Sequence, residues 1–162
     1  MNEQVPVIDS RSSFVAALLW GFGTAQAQDA RCIWCVDPDF ADWPLDDPDL
    51  QAGLTAWLRR PQRRLVLLAR DFNEVPRRSP RFDRWRASWA HAIDAWQPPE
   101  ELAHNLPTLL VSDAAVSVQL VDTVHWRGNA ALDPQRARQW REDVDVVLQR
   151  SERALAVRPL GL

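Results

Sequence analysis

Asp37, Asp39 and Asp71 are the first residues whose type and spacing could do chemistry. Asp37 and Asp39 follow the apolar run 31–36, and Asp71 follows the run 63–70. All three fall at the C-terminal ends of expected strands, where open α/β sheets place their sites. Carboxylates gathered there could hold Mg²⁺ and activate water, which would make a metal-dependent hydrolase. Asp also ends strands and forms turns, and that is its commoner use. His125 and Arg127 alternate around Trp126, so they could face one ligand. His91, beside a tryptophan stripe, and His104 are scattered and show no metal-ligand spacing. Cys32 and Cys35 lie inside "RCIWCVD", a strand-like run. Side chains three apart on a strand point to opposite faces, so the pair is expected to be two ordinary thiols rather than a redox or zinc site. No phosphate-loop, dinucleotide-fingerprint or nucleophile-elbow motif is present, and no cofactor is expected.

Anion binding is the second chemistry on offer. All 19 basic residues are Arg, against 22 acidic residues. Residues 59–86 hold ten Arg against Asp71, Glu74 and Asp83, while 29–49 hold seven Asp and one Arg. Guanidinium groups suit phosphate, and Arg77, Arg81 and Arg84 share a face if their helix starts early. Arg77 and Arg78 would then sit at its N-terminal end, where the helix dipole also favours an anion. The overall charge of −3 gives no global pull toward nucleic acid, and the two blocks could simply neutralise each other.

The elements that must position these residues are legible from caps and periodicity. Asp47-Pro48, Ser79-Pro80 and Asp133-Pro134 each put a capping side chain before a proline, the mark of a helix start. Apolar residues then recur at helical spacing: Leu50, Leu54, Trp57, Leu58; Phe82, Trp85, Trp89, Ile93, Trp96; and Ala137, Trp140, Val144, Val147, Leu148. An earlier helix runs from Asp9 or Ser10 to Ala27, with Gly21 and Gly23 inside it as a sign of close packing. Strands are expected at 31–36, 63–70, 108–113, 115–122 and 154–160, the third and fourth forming a hairpin. Short apolar strands alternating with helices predict an α/β chain, with one domain over 1–162 and a mixed sheet covered by helices on both faces.

No run reaches the ~20 apolar residues of a membrane span. "FVAALLWGFGTAQAQ" resembles the end of a signal peptide, but Glu3, Asp9 and a single Arg11 precede it instead of a positive segment. It is read as a buried helix, and the expected compartment is the cytoplasm.

Several stretches together carry a resemblance. They are the opening helix into "RCIWCVDPDF", "LQAGLTAWLRRPQRRLVLLARD", "RFDRWRASWAHAI", the hairpin "LLVSDAAVSVQLVD", the "HWRGNAAL" turn and "ARQWREDVDVVLQRSERALAVRPLGL". In that order the chain resembles one half of a phospholipase D-like protein. More narrowly it is similar to a catalytically degenerate domain of that kind, found in bacteria alone or behind an acetyltransferase domain. The resemblance implies a site of the form H-x-K-x4-D followed by G-[ST]-x-N, with His as nucleophile or acid and Lys and Asn holding phosphate. It also implies pairing, because two such halves meet across a pseudo-dyad. Anchoring the pattern on Asp113 puts Leu106 in place of the His and Thr108 in place of the Lys. His104 comes two positions early, the Gly-Ser pair falls on Leu120-Val121, and Gly128-Asn129 comes eight residues late.

The expectation is therefore a non-catalytic module that works by protein interaction, as a homodimer or with a partner protein. The alternatives are nucleic-acid or phosphate-ester binding through the Arg-rich region 59–86, and a metal-dependent hydrolase using Asp37 and Asp71.

Overall fold

A computed structural model describes residues 4–154. The helix expected near Ser10 spans Arg11–Ala27 (α1) and starts with a capping box, in which the Ser10 side chain accepts from the Ser13 N–H. The chain then forms β1 (Cys32–Val36), α2 (Pro48–Leu58), β2 (Arg64–Leu68), the single turn α3 (Val75–Arg78) and α4 (Pro80–Ser88). It continues through β3 (Ile93–Gln97), α5 (Glu100–Ala103), β4 (Thr108–Ser112), β5 (Val116–Asp122), β6 (Arg127–Leu132), α6 (Pro134–Leu148) and β7 (Glu152–Arg153).

The strands make one seven-stranded mixed sheet in the order β6-β5-β4-β1-β2-β3-β7. β1, β2 and β3 are parallel, and β4, β5, β6 and β7 extend the sheet antiparallel on either side. Alternation sorts the side chains. Ile33, Cys35, Leu65, Leu67, Leu110, Val116 and Val118 face the larger core, where Phe14, Leu18, Phe22, Leu54 and Phe82 come from α1, α2 and α4. Val36, Leu68, Leu109 and Val111 face the other way, onto Ala137 and Val144 of α6. Helices thus cover both faces, as the sequence predicts. Cys32 and Cys35 are free thiols on opposite faces. Burial pushes the Cys32 thiol up to about 12, so it stays protonated and unreactive.

All three Asp/Ser-Pro helix starts form at the expected prolines, two of them with the expected side-chain cap. Asp47 accepts the Leu50 N–H, and Asp133 accepts those of Gln135 and Arg136. The third is a correction. Ser79 makes no side-chain cap, and the Phe82 N–H is taken instead by Asp46 of the acidic loop at 2.8 Å. The tryptophan stripe also ends early: α4 stops at Ser88, and Ile93 and Trp96 belong to β3 on opposite faces. β2 has an open parallel edge there, and Ile93–Gln97 fills it. The "HWRGNAAL" segment is a turn only as far as Trp126, and its remainder is β6. Of the strand expected over 154–160 only Ala154 is described: it follows β7 and donates its N–H to the Ala95 carbonyl, and the rest of that range lies outside the described residues. Gly21 fits the close-packing reading, since a Cβ there would lie 2.4 Å from Leu110 Cδ2; Gly23 does not, having nothing within 4 Å.

Candidate functional site

The parallel strands end, and antiparallel β4 begins, at the same edge of the sheet. Val36 pairs with Leu109, so the next residues outward, Asp37 and Thr108, are brought together. Thr108 Oγ1 donates to Asp37 Oδ1 at 2.6 Å, and Asp37 Oδ2 accepts the N–H groups of Phe40 at 2.7 Å and Asp39 at 3.1 Å. Phe40 is held at φ 61°, a left-handed conformation that costs a non-glycine residue energy. Asp37 and the packing of Phe40 on Trp43 and Phe72 offset that cost. Burial pushes the Asp37 carboxyl above its ordinary range, and the hydrogen bonds from Thr108, Asp39 and Phe40 oppose the shift.

Asp39 and Asp71 do not join Asp37. Asp39 Oδ1 accepts the Ala41 N–H, and Asp71 accepts from the Asn73 N–H and from Arg70. Each carboxylate closes its own turn. Among the described residues no three His, Cys, Asp or Glu side chains come together as a metal-ligand set.

Asp113, the anchor of the catalytic pattern, accepts the Arg31 N–H through both its oxygens at 3.2 Å and so ties the β4–β5 turn to the start of β1. Leu106 and Thr108 diverge: Leu106 packs in the cluster beneath α6, while Thr108 turns its hydroxyl to Asp37. Beside Leu106 lies a partly open cavity of about 280 Å³. Val36 and Leu68 of the sheet and Trp140, Val144 and Val147 of α6 line it, and Asn105 and Asp143 are the polar members of its lining. The α6 stripe was legible in sequence, but a cavity under it was not.

The arginines are distributed over three environments. Arg77 and Arg78 end α3 and pair with Glu74 at 3.5 and 3.4 Å. Ser79 then breaks the helix, so Arg77 does not share a continuous face with Arg81 and Arg84. The anion at the α4 N-terminus is Asp46. Arg60 and Arg63 both reach Asp29 at 2.6 Å, so the basic block meets the acidic block here through ion pairs. The Arg63 and Arg60 hydrogen bonds hold the Asp29 carboxyl below its usual range. Arg59, Arg81 and Arg84 are exposed and make no ion pair among the described residues. Trp85 Nε1 donates to Thr55 Oγ1 at 2.8 Å, which sets α4 beside α2, at whose end Arg59 sits.

His125 and Arg127 do not converge. His125 Nδ1 lies 2.9 Å from Asp122 Oδ2, while Arg127 donates to the Asp9 carbonyl at 2.8 Å. Between them Trp126, at φ 56°, turns its ring onto Phe14. A pair that sequence reasoning missed is Arg64–Asp94, at 2.7 Å. Its signal was an Asp inside the apolar run "AIDAW".

No family model and no curated protein matches the chain. Solved structures do. TrmBL2, an archaeal chromatin protein whose structure is described as showing a novel mode of DNA binding, superposes with a TM-score of 0.59 at 11% identity. The match takes in 87% of this chain and 51% of that one, so the chain spans about half the length of TrmBL2. Nuc from Salmonella typhimurium, a phospholipase D family member, superposes with a TM-score of 0.54 at 11% identity, over 85% of this chain and 90% of that one. The fold is therefore phospholipase D-like: one mixed α/β sheet with helices on both faces. Among the described residues, no helix is long and apolar enough to cross a membrane.

Proposed function

We propose that the protein is a non-catalytic phospholipase D-like module, of the degenerate bacterial kind its sequence resembles, that works by self-association. The observation that carries this is the uneven covering of the sheet. Seven strands span roughly 30 Å, and α6 is about 10 Å across, so one long helix covers a third of its face. Trp34 and Trp96 stay partly exposed there, framed by Arg64, Asp94 and Arg153. Arg153 stacks over the Trp96 ring at 5.1 Å. Aromatics within a frame of both charge signs suit a two-fold interface, in which each charge can meet its opposite on the second copy. Leu106 and Thr108, at the positions of the catalytic His and Lys, support the loss of phosphodiesterase chemistry. The two free thiols fit a reducing compartment such as the cytoplasm.

Sedimentation velocity tests the reading. The expected result is a species of twice the 18.5 kDa chain mass at micromolar concentration, weakened roughly tenfold or more by Trp34→Ser with the circular dichroism unchanged. A monomer at every concentration up to ~100 μM would overturn it.

A second reading, nucleic-acid or phosphate-ester binding, is favoured by the unpaired Arg59, Arg81 and Arg84 on neighbouring helices and by the similarity to a DNA-binding chromatin protein. Three phosphate contacts predict that log K falls with log salt at a slope of about −3 on duplex DNA. Anisotropy with labelled DNA and RNA should show this slope drop by about two in Arg81→Ala/Arg84→Ala. No binding at low salt would rule the reading out.

A further inference from the structure

We propose that the cavity beneath α6 binds a small organic cation with an apolar body. The inference is independent of self-association, since the cavity lies at the C-terminal ends of β1 and β2 and is complete within one chain.

Three features set the ligand class. Val36, Leu68 and Val144 are almost wholly buried and make the floor apolar, which excludes a fully hydrated ion. Among the described lining residues Asp143 is the one formal charge, and no Arg or His joins it. Its hydrogen-bond partner is the neutral amide of Gln139 at 3.3 Å, so the negative charge is not cancelled within the site. Trp140 adds an indole, which attracts ammonium groups through the ring quadrupole. An anion of any kind would meet a carboxylate and an apolar wall. A ligand with an ammonium head and a short alkyl chain satisfies both. About 280 Å³ admits a small molecule of this kind but not a lipid with two long chains.

The test uses the full chain labelled with 5-fluorotryptophan and followed by fluorine NMR, with Trp140→Phe assigning the Trp140 resonance. The probes are hexyltrimethylammonium, 1-hexanol and hexanoate. The expected result is a saturable shift of the Trp140 signal by hexyltrimethylammonium, with weaker binding of hexanol and none of hexanoate. Asp143→Asn should weaken the cation about fivefold and leave hexanol unchanged. Leu106→Trp, on the half-buried loop before β4, should fill the cavity and abolish both. Equal binding of hexanoate, an unaltered cation affinity in Asp143→Asn, or a shift that does not saturate would each overturn the proposal. The same titration in Trp34→Ser separates it from the dimer reading: cation binding should persist there whether or not that variant is monomeric.

Discussion

Asp37→Ala should lower the stability of the protein by about 3 kcal/mol, or roughly 10 °C in Tm for a chain of this size. The change strands three donors at once: the Thr108 hydroxyl and the N–H groups of Asp39 and Phe40. It also removes the group that holds Phe40 at φ 61°. Asp37→Asn should cost far less at neutral pH. Its amide oxygen can accept both N–H groups, and its amide nitrogen can donate to a rotated Thr108 hydroxyl. The pair of variants gives a pH signature. Burial raises the Asp37 pKa above its unfolded value of 3.8, so the folded state holds the proton more tightly. The protonated form therefore favours folding, and that contribution is fully present below the unfolded pKa. It is lost as pH rises through the folded pKa. Wild type should gain stability relative to Asp37→Asn as pH falls through that window. Exposed carboxylates with lowered pKa values, such as Asp29 and Asp122, work in the opposite sense but are common to both proteins. Chemical denaturation from pH 4 to 8 checks this. A flat difference, or an alanine variant that melts within about 2 °C of wild type, would sink it.

The site around Asp37 shows where sequence reasoning stops. Asp37 at a strand end was visible, but its partner Thr108 is 71 residues away and carries no mark of the contact. Only the antiparallel entry of β4 beside β1 creates it. Local signals fared better. The Asp-Pro caps at 47–48 and 133–134 depend on neighbours two or three residues on, and both form. Ser79-Pro80 has the same local pattern and does start a helix, but its side chain makes no cap, and Asp46, 36 residues earlier, takes the Phe82 N–H. β3 was hidden by an accident of spacing: Ile93 and Trp96 continue the helical period of Phe82, Trp85 and Trp89, with no glycine or proline between to break it. The arginine face failed for a related reason. One turn of helix over Val75–Arg78 and another element from Pro80 look in sequence like a single helix. The fold class survived these misses because the short apolar runs of β1, β2 and β4, set between helices, and the β4–β5 hairpin are enough to define a mixed sheet.

Gly128→Ala should be about as damaging as Asp37→Ala, and for a reason invisible in sequence. Gly128 next to Asn129 looks like a turn pair, yet it lies within β6 opposite Leu120 and also bridges to Ile8. A Cβ there would sit 2.1 Å from the Gln119 carbonyl oxygen and 3.0 Å from the Leu120 Cα. Both are backbone atoms of β5, next to the irregularity between Leu120 and Asp122, so no side-chain rotation can make room. The strand must move away or lose register, and a one-residue slip would reverse which face each β6 side chain occupies. About 3 kcal/mol is the expected cost, at the upper end of overpacking. Gly23→Ala is the control. It lies on the exposed side of α1 with nothing within 4 Å, so it should stabilise by up to ~1 kcal/mol. Hydrogen exchange locates the damage: amides of β5 and β6 should lose protection in Gly128→Ala while those of β1, β2 and β3 keep most of theirs. The cavity beneath α6 lies at the ends of β1 and β2, away from this edge, so cation binding at Trp140 should survive wherever the variant remains folded. Uniform loss of protection across the sheet would mean that β6 is part of the cooperative core rather than a strand added at its edge.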